Sequence, residues 1–193
     1  MTRIADDAYL TPDDLAQAIT DRLATVIPTP TTVLEPSAGE GAFVRAAAKT
    51  WPGAAIDAVE PRIVGPLVLQ PARVWMTTME SFTNEEPAPG APARRPRYDL
   101  VIGNPPYLAA EAHVGLARKL GWRVAFLLRM SFLSSQGRVE RLWDAQPGLR
   151  WLIPLAQRPS FTGKGTDNSE YAVYVWEDGF TGSARILPHL WVR

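Results

Sequence analysis

A chain of 193 residues with 46% hydrophobic and 21% charged side chains can close a full core. That composition excludes the disordered and fibrous classes, and the length argues against two ordinary domains. Its 20 basic and 20 acidic residues cancel, which argues against a nonspecific polycation, and the lack of cysteine excludes disulfides, thiolate metal sites and cysteine nucleophiles.

The segment "TPDDLAQAITDRL" opens with Thr11 as N-cap and Pro12 in the first turn, then spaces Leu15, Ala18, Ile19 and Leu23 helically. It predicts a helix over 12–25. "TTVLEPSAGEGAFVRAAAKT" reads as strand, glycine turn and alanine-rich helix. "AAIDAVEP" and "ARVWMTT" are short strands, and residues 85–97, "EEPAPGAPARRPR", form a flexible Pro/Arg loop inside the domain. Then follow strand "YDLVIG", helix "AAEAHVGLARKL", strand "WRVAFLL", helix "GRVERLWDA", strand "LRWLIPLA" and a late alternating strand "EYAVYVWED". Strands alternating with helices and then crowding together predict an α/β fold. It has a mostly parallel sheet with an antiparallel end strand and helices on both faces, in a single domain over 1–193.

The N-terminus has no apolar signal core, and the apolar run Val124 to Leu128 is flanked by Arg123 and Arg129, so no membrane segment is expected. Together with the absence of cysteine this points to the cytoplasm. Residues 1–100 carry 9 Lys/Arg against 13 Asp/Glu, and residues 101–193 carry 11 against 7. The partition suits a cationic ligand in the first half and a phosphate-bearing one in the second, and chance partition gives the same counts.

In open α/β sheets ligands sit at the carboxyl ends of the strands, so the loops there bear the chemistry. After the first strand comes "EPSAGEGAF", Glu35 to Phe43, whose Gly39 and Gly41 permit a tight turn close to a ligand. It is neither GxGxxG nor a Walker loop. Glu60 closes the second strand 21 residues beyond Gly39, the distance at which an acid receives ribose hydroxyls. After "DLVIG" come Asn104, Pro105, Pro106 and Tyr107, residues that cannot continue a strand.

Taken together these segments resemble the S-adenosylmethionine-dependent amino-methyltransferases, specifically the gamma class of adenine-N6 DNA methyltransferases. "DAYLTP" looks like the amino-terminal motif of that class, "VLEPSAGEGAFV" its glycine motif, "AVEP" its ribose motif and "DLVIGNPPY" its catalytic motif. The resemblance implies a Rossmann-like class I methyltransferase fold with a seven-stranded sheet and S-adenosyl-L-methionine as cofactor. Tyr9, Thr11 and Pro12 would border its methionine moiety. Glu35, Pro36, Ser37, Ala38, Gly39, Gly41 and Phe43 would shape its pocket together with Asn104. Glu60 would hold the ribose, and Glu80, at the end of the third strand, would bind the adenine amino group.

In such a site the Asn104 oxygen and the Pro105 carbonyl accept the two amino hydrogens of a flipped adenine, and Pro106 fixes the direction of that carbonyl. Tyr107 offers a flat face to the base. In "QRPSFTGKGTDNSEYAVYVWED", Arg158, Phe161 and Lys164 are candidates for the base and its phosphates, with Phe161 equally able to tuck into the core. Arg94, Arg95 and Arg97 are open to phosphate contact or to simple solvation. His113 and His189 pair with no acidic motif, so neither a metal nor a general-base role is expected.

The motifs use nearly the whole chain, which implies a small form without a target-recognition domain. Specificity would be relaxed or short, or supplied by a recognition partner protein. The same loop chemistry serves enzymes acting on RNA or on a protein glutamine, and a catalytically silent cofactor- or DNA-binding module is the reading from another class. Only about 30 residues precede the first strand, fewer than the helical domain of glutamine enzymes needs.

Overall fold

The computed structural model describes residues 10–62, 70–84, 96–144, 148–161, 165 and 168–192. Tyr9, Lys164, Arg94 and Arg95 lie outside the described residues, as does most of the 85–97 loop.

Eight strands form one sheet in the order β3-β2-β1-β4-β5-β7-β6-β8. They are β1 (Thr32–Glu35), β2 (Ala55–Val59), β3 (Arg73–Trp75), β4 (Leu100–Gly103), β5 (Arg123–Arg129), β6 (Leu149–Pro154), β7 (Tyr171–Glu177) and β8 (Arg185–Ile186). All pairings are parallel except those of β7, which runs antiparallel to both β5 and β6. The antiparallel strand is therefore inside the sheet and not at its end.

Its residues show why. Ala172, Tyr174 and Trp176 face one apolar cluster while Tyr171, Val173 and Val175 face the other, so both sides of β7 are buried. A strand covered on two faces belongs between partners. The eighth strand was not expected from the sequence, because its two residues carry no periodicity. Backbone hydrogen bonds Leu187 N–H to Leu152 O and Leu190 N–H to Pro154 O, both within 2.9 Å, hold it to β6.

Helices cover both faces. α1 (Asp13–Ala24) and α2 (Ala42–Thr50) bury Leu15, Ile19, Leu23, Phe43, Val44 and Ala47 against one side. On the other side α3 (Met79–Asn84), α4 (Ala110–Leu120) and α5 (136–144) bury Met79, Phe82, Val114, Ala117 and Leu142. Each of the larger apolar side chains among these stabilises the fold by about 1.5–3 kcal/mol on full burial.

Two elements depart from the sequence reading. The predicted helix in "GRVERLWDA" is a short α-turn, Gln136–Arg138, that widens into a π-helical stretch, Val139–Asp144; together they are α5. The wider turn accompanies Trp143 lying parallel on Trp176, centroids 6.1 Å apart at 10°. The third strand stops at Trp75, and "TMESF" begins α3, with Thr78 Oγ1 accepting from Ser81 N–H at 3.2 Å.

Arg97 is committed to the fold. It pairs with Asp178, donates to the Gly121 carbonyl and lies 4.1 Å from the Trp122 ring centroid. This cluster sits where β4 and β5 begin, at the opposite end of the sheet from the loops that follow Glu35 and Gly103. Among the described residues no helix is long and apolar enough to cross a membrane.

Candidate active site

The loops after β1, β2, β3 and β4 and the segment before α1 enclose a cavity of about 380 Å³. Its walls include Thr11, Glu35, Pro36, Ser37, Ala38, Gly39, Phe43, Glu60, Glu80, Asn104 and Pro106, so most of the residues singled out from sequence converge on one space. Pro12, Gly41 and Pro105 are not among the residues that line it. Leu10, Glu40, Ala42, Pro61, Arg62, Thr78, Met79 and His113 complete the lining and were not singled out.

The floor is built by the turn after β1. Gly39 and Gly41 have φ of 53° and 81°, conformations that residues with a Cβ rarely adopt. The turn closes with Gly41 N–H donating to Ala38 O at 2.8 Å and is tied to β2 by Ala38 N–H donating to Val59 O at 3.0 Å. A methyl group at Gly39 would stand 3.7 Å from both Arg62 and Leu10, so the backbone there is open to a close ligand.

Two acids define the electrostatics. Glu35 is 2% exposed, and its Oε1 accepts from Ser37 N–H at 3.1 Å. Burial pushes its carboxyl up to about 8, against the lowering effect of the Ser37 amide, and Glu60 adds to the rise. Glu60 is also buried, which pushes its carboxyl up, but the Arg62 guanidinium and the Gly39 and Arg62 amides outweigh this and hold it below the usual range. Arg62 Nε donates to Glu60 Oε1 at 2.6 Å and Gly39 N–H donates to Oε2 at 2.7 Å. Glu60 is thus where the sequence places a ribose acceptor, and Arg62 occupies part of the same carboxylate.

Glu80 lines the cavity, but from the first turn of α3 and not from the end of a strand. The helix begins there because Thr78 caps it. Among the described residues no group of three or more His, Asp or Glu is placed to hold a metal ion.

Thr11 does not cap α1; Pro12 occupies the N-cap, with φ −59° and ψ 142°. The Thr11 hydroxyl instead accepts from Asn104 Nδ2 at 3.1 Å across 93 residues of sequence. This bond turns the Asn104 oxygen away from Thr11. Pro106 takes φ −53° and ψ 125°, an extended conformation directly before the one-turn 3₁₀ helix Tyr107–Ala109.

Tyr107 and Phe161 are not among the residues that line the cavity; they pack against the apolar core and meet each other, ring centroids 6.4 Å apart at 63°. Tyr171 of β7 joins them at 5.6 Å and 5.3 Å. Arg129, at the end of β5, lies 5.0 Å from the centre of the Tyr107 ring and donates through Nε to the Tyr171 hydroxyl at 3.2 Å. Burial, then Tyr171, raises the Tyr107 phenol well above its ordinary value. Arg129 and Tyr171 belong to this cluster and were not picked out from sequence; cross-strand pairing of Arg129 with Tyr171 is what brings them there. Arg158 does not join it. Its guanidinium pairs with Glu170 on the surface.

No protein-family model matches the chain, and no curated protein matches it. Solved structures do. A Listeria monocytogenes protein assigned to the class I S-adenosylmethionine-dependent methyltransferases superposes with a TM-score of 0.70 at 13% identity, over 96% of this chain and 67% of its own. The fold is that of the class I methyltransferases. A Vibrio vulnificus protein assigned as the modification subunit of a type I restriction enzyme has TM-score 0.70 at 15% identity over 96% of this chain, which spans 48% of the subunit. A Pyrococcus horikoshii protein assigned as an RNA methyltransferase has TM-score 0.62 at 16% identity, over 88% of this chain and 86% of its own.

Proposed function

We propose that this protein transfers a methyl group from S-adenosyl-L-methionine to the N6 amino group of adenine in DNA, with relaxed or short sequence specificity. The observation that carries the reading is Asn104. It stands in the loop after β4, at the wall of an acidic cavity, with its amide nitrogen held by Thr11. The cavity suits a sulfonium-bearing amino acid nucleoside: its acidic lining is Glu40, Glu60 and Glu80, with Glu35 holding its proton near neutral pH, against Arg62, and its floor at Gly39 lacks side chains. Glu35 and Glu60 would hold the cofactor's polar groups and Glu80 its base. When bound, the cofactor supplies an electrophilic methyl group.

The chain's own part is to make a poor nucleophile adequate. An exocyclic amino nitrogen loses its lone pair to the ring, and acceptors that draw on both its hydrogens return electron density as the nitrogen becomes tetrahedral. Asn104 Oδ1 and the Pro105 carbonyl serve as those acceptors, fixed in advance by Thr11 and by the two prolines. Tyr107, backed by Tyr171 and Phe161, supplies the aromatic face against which a planar acceptor is held. Likeness to a restriction-system modification subunit supports DNA as substrate. Likeness to an RNA methyltransferase supports RNA as the second reading, because an extruded adenine or guanine presents the same planar amino group.

Incubation with labelled S-adenosylmethionine and unmethylated genomic DNA, with RNA and protein extract in parallel, followed by digestion to nucleosides and amino acids, tests the proposal. Label in N6-methyldeoxyadenosine across many sequence contexts is the expected result. Label confined to RNA or protein overturns the substrate, and no label in any pool favours a silent binding module.

A further inference from the structure

One buried polar side chain in the cavity wall is left over by the roles given so far. His113 lies on α4, is 8% exposed and lines the cavity. Its Nδ1 is 3.1 Å from the Ala109 carbonyl oxygen. A carbonyl only accepts, so Nδ1 carries the ring proton, and Nε2 of the neutral imidazole is an acceptor. α4 packs on α3, where Met79 shares one apolar cluster with Ala110 and Val114 of α4. His113 and the Thr78–Glu80 turn thus line one cavity, the turn being the part contributed by the β3 side of the sheet.

We infer that His113 selects the cofactor's base: its Nε2 and the Glu80 carboxylate are the two acceptors for the two N–H bonds of the adenine amino group. This inference rests on the S-adenosylmethionine reading above. An amino group offers two donors to two acceptors. A keto oxygen in the same place offers none and faces both with a lone pair. Glu80 is exposed at the rim, where water can satisfy it again; His113 is buried and has no such recourse. The discrimination against a 6-oxo base therefore comes mainly from His113.

The test is calorimetric binding of S-adenosylhomocysteine and of its 6-oxo analogue, S-inosylhomocysteine, to the full chain and to His113→Leu and His113→Gln, with thermal melts of all three. The unsubstituted protein is expected to prefer the adenosyl ligand about tenfold or more, the penalty of an unpaired buried acceptor. His113→Gln, which keeps an acceptor oxygen, should retain most of that ratio, and His113→Leu should lose most of it. Equal binding of the two ligands by the unsubstituted protein, or an unchanged ratio in a folded His113→Leu, overturns the role of His113 while leaving the cofactor reading intact. If the leucine variant fails to melt cooperatively, the comparison between the two ligands and the glutamine variant still decides. Failure of the unsubstituted protein to bind either ligand overturns the cofactor reading itself.

Discussion

Gly103 and Glu35 share one space at the carboxyl ends of two paired strands. A Cβ built on Gly103 would collide with Glu35 Oε1 and stand 3.1 Å from Glu35 Cδ. The glycine that ends β4 is thus the residue that lets a buried carboxyl lie beneath the loop that follows β4. Gly103→Ala is expected to destabilise the protein by about 1–3 kcal/mol, the cost of overpacking a closed site. Glu35→Ala made in the same chain should recover much of that loss. Urea denaturation of the two single variants and the double variant measures the coupling; additive effects would contradict the collision.

Glu35 also sets a pH dependence. Its carboxyl titrates near 8 in the fold against 4.5 as its ordinary value, so the native state holds a proton that the unfolded chain gives up between these values. Stability from this group is complete below about pH 4.5, declines as pH rises and is lost above about pH 8, a change on the order of a few kcal/mol. The lowered carboxyls Glu60, Asp99, Glu111, Glu170 and Asp178 act in the opposite sense, losing their contribution as pH falls below the ordinary carboxylate range. Thermal melts from pH 5 to pH 9 should therefore show a decline that Glu35→Gln removes. A glutamine variant with the same decline would place the titrating group elsewhere.

The bond from Asn104 to Thr11 predicts a non-additive pair. Asn104→Ala is expected to lower methyl transfer about 10²–10³-fold, the range for loss of a preorganised group at a developing charge. Thr11→Val, which leaves the asparagine present without its Thr11 partner, should cost less. The double variant should be no slower than Asn104→Ala, because Thr11 acts on catalysis through Asn104. Single-turnover rates at saturating cofactor check this.

Arg129 holds the Tyr107 ring from one side while Tyr171 and Phe161 pack against it. Arg129→Met keeps the length of the side chain and removes the cation. It is expected to raise KM for the nucleic acid or lower kcat several-fold, in line with a cation–π contact of roughly 0.5–2 kcal/mol. Cofactor affinity, measured by calorimetry, should be unchanged, and Arg129→Lys should restore part of the loss.

Much of this site was legible in the sequence because its parts announce themselves locally. Gly39 and Gly41 sit where only a left-handed turn explains two glycines, Glu60 ends a strand, and Asn104 to Tyr107 break one. Glu80 was legible as a residue but not as an element, since Thr78 caps a six-residue helix too short to show a period. The Thr11 hydroxyl was read as a helix cap from its neighbours, and a partner 93 residues away overrode that local preference. Arg129, Tyr171 and His113 left no local sign. Their roles come from strand register and helix packing, which the sequence specifies only through the whole fold. The inner position of β7 was hidden for the same reason: alternation suggests a half-buried edge, and only two covering layers distinguish a central strand.

That inner position has a consequence for how the protein is made. Every described wall of the cavity comes from residues 10–113, whereas Tyr171, which backs Tyr107, belongs to the last long strand. As the chain leaves the ribosome, β5 and β6 are complete before the strand that joins them exists, so they cannot be neighbours and must wait for β7 to fill the gap. The residues that line the cavity can thus be in place while Tyr171 is still missing from the ring cluster around Tyr107. In a growing chain, the walls of the cavity precede the completed aromatic cluster.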